Sequence, residues 1–264
     1  MSEPSDIHVI ERGAIRTLRI GRIEQSSMYL DSPFETDFDY PAYLHITVAI
    51  VPEPRRALVI GLGGGTVVKQ LWRDHRALSI DSVELEPRVA DLARTQFALP
   101  TDERIRVHIG DGRAFVEDTS ETYDIVIVDA FDDDTVPLPL RTEQFVRLAH
   151  ARLAEGGVLA YNMHGSVVGD RSKPFRALHR TLSNTFRRVW TFPVGLSGGA
   201  AAGVHREIIV LASDAALTDK ALLARIESRV DGRVGVLGFE RTAADLYREG
   251  VRSGDVAVLT DPPG

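Results

Sequence analysis

The chain contains no cysteine, which removes disulfides, thiolate nucleophiles and cysteine–zinc sites together. It has no basic excess either. Its 31 Lys and Arg stand against 38 Asp and Glu, a formal charge of −7, and nucleic acid needs a basic surface to neutralise its phosphates. A cationic small molecule suits such a balance better. No apolar run is long enough to span a bilayer, and the opening MSEPSDIHVIERG lacks the apolar core of a signal peptide, so a cytoplasmic protein with no membrane partner is expected. The eight histidines (His8, His45, His75, His108, His150, His164, His179 and His205) show no ligand spacing, and the acidic runs do not follow a calcium-loop pattern. No metal site is expected.

What is present is an ordinary globular composition, 44% hydrophobic and 26% charged over 264 residues, enough for a substantial core. Residues 7 to about 31 alternate apolar and polar in short bursts with glycine punctuation, which predicts a small β-hairpin or meander. A linker with Pro33 and Pro41 follows, then an apolar helix from Tyr43. From Arg56 the pattern alternates strand and helix to Asn162, which predicts a parallel sheet with helices on both faces. The segments TFPVG and EIIVLAS are expected to pair antiparallel at the sheet edge. The expected division is 1–50 for the hairpin and linker helix, and 51–264 for a Rossmann-like adenosyl-binding domain.

The chemistry concentrates at the carboxyl ends of the predicted strands. RALVIGLGGGT, LSIDSVELEP, IRVHIGDGRAF and YDIVIVDAFDDD put a glycine turn (Gly61, Gly63, Gly64, Gly65), Glu84, Asp111 with Gly112, and Asp129 with Asp132 along one rim. An open α/β sheet binds its ligand there. Thr66 stands where the dinucleotide fingerprint needs a third glycine, which disfavours nicotinamide and flavin cofactors. Glu84, about twenty residues past the turn, is placed to accept the two hydroxyls of a ribose. Asp111 is placed to reach an adenine or to cap a helix. Asp129, directly after a buried strand, is expected to carry a perturbed pKa.

The order VIGLGGGT, VELEP, GDGRAF, YDIVIVDAFDDD and LRTEQFVRLAHARLAEGGVLAYN resembles spermidine synthase and its bacterial relatives over residues 15 to 215. Tyr29-Leu30-Asp31, Tyr43-Leu44-His45 and Leu259-Thr260-Asp261 are similar to further family segments. The resemblance implies an α/β fold, a Rossmann-like S-adenosylmethionine methyltransferase-type sheet behind a small N-terminal β-hairpin domain, usually as a homodimer. It implies transfer of an aminopropyl group from decarboxylated S-adenosylmethionine to a small amine or polyamine acceptor. Glu84 would bind ribose, Asp111 adenine, Asp129 would be base and anchor for the amine, Asp132 would match the second aspartate of the family loop, and Tyr43 would touch the acceptor.

Three departures from the family pattern leave alternatives open. Gly64 replaces the aspartate of G-G-G-D-G-G, which would pair with the aminopropyl ammonium and repel the carboxylate of intact S-adenosylmethionine. Asp133 replaces a proline, and TFPVGLSGGAAAG lacks the tyrosine of the diamine pocket. The glutamate of Tyr-His-Glu has no counterpart. A methyltransferase using intact S-adenosylmethionine, and a non-catalytic adenosyl-binding relative, therefore stand beside the aminopropyltransferase.

Overall fold

The computed structural model describes residues 6–132, 134–199 and 201–262. The alternating N-terminal bursts form an antiparallel meander, β1 (Ile7–Arg12), β2 (Ile15–Ile20) and β3 (Ile23–Tyr29), in that spatial order. Such a sheet is too small to stand alone. Ile7, Leu18 and Met28 bury its apolar face against Val89, Leu92 and Phe97, and this contact holds β3 next to the glycine turn.

The apolar stretch after the meander forms two short helices, α1 (Tyr40–Leu44) and α2 (Thr47–Ile50), with every residue buried. Pro41 thus lies inside the first turn of α1 and not in the linker; the missing N–H costs nothing where no intrahelical partner exists.

The alternating segments are β4 (Arg56–Ile60), α3 (Thr66–Asp74), β5 (Ser79–Glu84), α4 (Pro87–Thr95), β6 (Ile105–Ile109), α5 (Gly112–Asp118), β7 (Tyr123–Val128), α6 (Glu143–Ala151) and β8 (Leu153–Gly165). After them come α7 (Lys173–Ser183), β9 (Arg188–Pro193), β10 (Arg206–Ser213) and α8 (Asp219–Glu227). The seven strands order as β6-β5-β4-β7-β8-β10-β9. Strands β4 to β8 run parallel, and β10 is antiparallel to both β8 and β9. The predicted antiparallel pair is present, with β10 slotted inside β9. This is the α/β, methyltransferase-type sheet that the family resemblance implied.

Period-2 alternation divides the core in two. Ala57 and Val59 of β4 join Leu44, Val67, Leu71, Leu222 and Ile226 on one face, while Leu58 and Ile60 join Phe145, Phe175 and Leu178 on the other. Burial on both faces explains why Ile125 to Val128 of β7 read as an unbroken apolar run. One expectation fails locally. In the sequence the pair Gly156–Gly157 reads as the cap after a helix's last turn, yet α6 stops at Ala151 and both glycines lie within β8. There the pairing with β7 jumps from Tyr123–Leu153 to Ile125–Val158, and the bulge takes the glycines.

Successive strands leave β4 toward β5 and β6 on one side and toward β7 and β8 on the other. The sheet order reverses between β4 and β7, so a crevice opens at their carboxyl ends. Among the described residues, no helix is long and apolar enough to cross a membrane.

Candidate active site

That crevice is a cavity of about 620 Å³, within the range of small-molecule sites. Gly61, Leu62 and Gly63 line it from the β4–α3 turn, and Glu84, Asp111, Gly112, Asp129 and Asp132 line it from the following strand ends. The four acids singled out in the sequence therefore face one space. Gly64 and Gly65 do not line it: the Gly64 N–H donates to Ser26 Oγ at 2.8 Å. A Cβ on Gly64 would come within 2.9 Å of the Phe97 ring and 3.0 Å of Ser26 Cβ. The turn is thus packed against the meander on that side.

Gly61 is required by the backbone. Its φ is +93°, and a Cβ would lie 2.2 Å from the Asp129 carbonyl oxygen. The glycine lets β4 and β7 close together where their ends meet the cavity. Glu84 steadies the same turn: its Oε2 accepts from Leu62 N at 3.0 Å and Gly63 N at 3.4 Å, and its Oε1 from Glu86 N at 3.0 Å. A carboxylate offers about four lone pairs, so one remains and the long Gly63 contact is the easiest to exchange for a ligand hydroxyl. Asp111 serves as the N-cap of α5, with Oδ1 accepting from Ala114 N at 2.8 Å. Capping occupies that one oxygen while the residue also lines the cavity.

Asp129 carries the perturbed pKa that its place after a buried strand implies. Burial raises its carboxyl to about 6, against the opposing pull of Asn162, Tyr40 and His164. Asn162 Nδ2 donates to its Oδ1 at 2.9 Å and the Tyr40 hydroxyl to its Oδ2 at 3.3 Å. Two lone pairs stay available to a cation entering from the cavity. Asp132 begins a tight turn, bridged to Thr135 through both backbones. Asp133 lies outside the described residues.

Tyr43 is not in the cavity, contrary to expectation. Its hydroxyl donates to Asp245 Oδ2 and accepts from Gly195 N at 3.1 Å. Burial, and after it the Asp245 carboxylate, raise its pKa against the Gly195 N–H, which lowers it. Tyr40, three residues earlier, takes the place facing Asp129.

Asn162, His164 and Glu207 also line the cavity and were missed. Asn162 had a readable signal, because Val128 pairs with Tyr161 and the next residues along are Asp129 and Asn162. Glu207 is directly opposite His164 on β10, and burial raises its carboxyl, with Asp129 adding repulsion. The expectation of unconnected histidines is corrected too. His164 Nδ1 meets Asp134, and His205 Nε2 lies 3.1 Å from Asp134 Oδ2. Antiparallel pairing of β8 and β10 joins positions 41 residues apart, a distance no local motif reveals.

This geometry has relatives. A family model described as "Spermine/spermidine synthase domain" matches residues 41–192, more than half of the chain. A polyamine aminopropyltransferase of Vibrio vulnificus is 29% identical over 204 residues, 74% of this chain and 66% of that protein. The chain therefore spans about two thirds of that relative's length. A probable spermidine synthase from Corynebacterium glutamicum superposes with a TM-score of 0.78 at 18% identity, covering 99% of this chain and 95% of the other. A spermidine synthase in complex with the transition state analogue AdoDATO gives 0.69 at 18% identity, covering 94% and 82%. Likeness at that identity carries the fold, whereas the sequence match carries the kinship: this chain belongs to the spermine/spermidine synthase domain family.

Proposed function

We propose that the cavity takes an adenosyl sulfonium donor along the glycine turn and an amine acceptor at Asp129, and that the chain transfers an aminopropyl group from decarboxylated S-adenosylmethionine to that amine. The observation that carries this reading is Asp129, a desolvated carboxylate held by Asn162 and Tyr40 at the floor of the cavity. In this reading Glu84 accepts from the ribose, Asp111 meets the adenine, Gly61, Gly63 and Gly112 leave room for the nucleoside, and Asp132 lines the mouth on the acceptor side. The family membership supports the transfer chemistry.

The step balances without any further reactant. The acceptor ammonium gives its proton to Asp129. Its nitrogen lone pair then attacks the carbon beside the sulfonium, the carbon–sulfur bond breaks, and its electron pair stays on sulfur as methylthioadenosine. A free amine holds its proton to a pKa of about 10 and a free Asp to about 4. Raising Asp129 to about 6 narrows that gap and makes the proton transfer less uphill. Alignment of nitrogen, carbon and sulfur supplies the rest.

A second reading rests on position 64. Glycine there places no carboxylate near the donor's ammonium, and the space beside it holds Ser26 and Phe97. Intact S-adenosylmethionine would meet no repulsion at that point, which favours methyl transfer. Mass spectrometry after incubation with each donor and a panel of amines separates the two. Methylthioadenosine supports the first reading, adenosylhomocysteine the second, and neither product with either donor removes both.

A further inference from the structure

Three side chains outside the proposed reaction converge at the cavity rim. Asp134 lies on the loop after β7, His164 near the end of β8, and His205 just before β10. One potential ligand atom from each lies within 4.8 Å of the others. The carboxylate sits between the two rings, meeting His164 Nδ1 on one oxygen and His205 Nε2 at 3.1 Å on the other.

We propose that Asp134, His164 and His205 bind one divalent transition-metal ion, which fastens the loop after β7 to β8 and β10 beside the cavity. Two imidazoles and a carboxylate make a zinc-type donor set, preferring Zn²⁺, Co²⁺ or Ni²⁺ over Mg²⁺ and Ca²⁺. Zinc at about 2.0–2.1 Å from each donor requires donor atoms roughly 3.3 Å apart in a tetrahedron. The three donor atoms, all within 4.8 Å of one another, would close by at most about 1.5 Å through side-chain rotation. The ring frame is already built. Phe131 packs on the His164 ring at 4.8 Å between centroids, and the two imidazoles stand edge to face at 6.1 Å. The backbone consequence is specific: Asp134 directly follows the part of the loop that carries Asp132, and the Asp132–Thr135 turn would be held to two strands.

The test uses the full chain, freed of any histidine tag and stripped with a chelator, and titrates it calorimetrically with Zn²⁺ and with Mg²⁺. One Zn²⁺ per chain is expected, with affinity falling at least ~10-fold in H205Q, unchanged in H179Q, and with no Mg²⁺ binding at matched concentration. Co²⁺ should give the intense visible absorption of a low-coordinate site in the wild type and lose it in H205Q. Hydrogen exchange at the amides of Asp134 to Val136 should slow with Zn²⁺ in the wild type only. Equal affinity in wild type and H205Q, an adventitious ion only, overturns the site. Specific binding with unchanged exchange overturns the fastening. Thermal melting of H205Q without metal verifies that it folds, and H164Q gives an independent second loss. None of these readouts depends on which donor the enzyme uses.

Discussion

Burial raises the Asp129 carboxyl to about 6, while Asn162 and Tyr40 donate to its ionised form and hold it in place. An ionised base is therefore available only above about pH 6, and the acid limb of kcat/KM is expected there. Replacing Asp129 with Asn removes the proton acceptor but keeps the shape, so turnover should fall by about 10²–10⁴-fold with nucleoside affinity retained in calorimetry. Undiminished turnover would take Asp129 out of the reaction. Tyr40→Phe removes one donor to the carboxylate, and the acid limb should move upward in pH; a limb that stays in place would show that the Tyr40 hydroxyl does not reach the reacting form. These residues differ in how far the sequence betrays them. Asp129, Glu84 and Asp111 end strands, and a strand's end is visible from its apolar run. Tyr40 and Tyr43 lie on one five-residue helix, and only tertiary packing decides that one reaches Asp129 and the other Asp245.

The β4–α3 turn and the start of α5 show the same site at the level of elements. Gly61→Ala places a methyl group 2.2 Å from a backbone oxygen at a φ of +93°, and no side-chain movement relieves that. A loss of about 3 kcal/mol is expected, read as a lower urea midpoint, together with weaker nucleoside binding; a variant as stable as wild type would mean the strands part without cost. At α5, Asp111→Asn preserves the cap and Asp111→Ala removes it. The alanine variant should lose about 1 kcal/mol of stability, while both should weaken nucleoside binding if the free oxygen meets the adenine. Equal nucleoside affinity in all three chains would leave Asp111 a cap alone. The sheet itself was legible because alternation of apolar strands and capped helices fixes a parallel order. The bulge at Gly156 was not, since a glycine pair after a helix reads the same whether it ends the helix or enters a strand.

Across the whole molecule, buried titratable groups set opposing slopes of stability against pH. His45 is enclosed by protein, with Nε2 donating to Gln70 Oε1, and burial lowers its pKa to about 4. The unfolded chain binds that proton first, so His45 makes the fold less stable as pH falls from about 6.5 to about 4. His75 and His179, also lowered by burial, act in the same direction. Asp129 acts in the opposite one. Its folded carboxyl at about 6 keeps a proton that the unfolded chain has released, so stability falls as pH rises through the same window. Two shifts of roughly two pKa units are each worth on the order of 3 kcal/mol, and they largely cancel between about pH 4 and about pH 6. Asp81, held by Arg106 and His108 against the cost of its burial, has a lowered pKa, so its contribution is lost only below the ordinary carboxylate range. Wild-type urea midpoints should therefore rise with pH across that mildly acidic window only by what His75 and His179 add. Asp129→Asn deletes the opposing slope and leaves the histidines alone. Its midpoint should climb with pH from about 4 to about 6 and exceed that of wild type at pH 8 by on the order of 2 kcal/mol, because a desolvated charge has been removed. Parallel curves for the two chains would show that Asp129 is hydrated in the folded protein, and the burial argument for its role as base would fall with it.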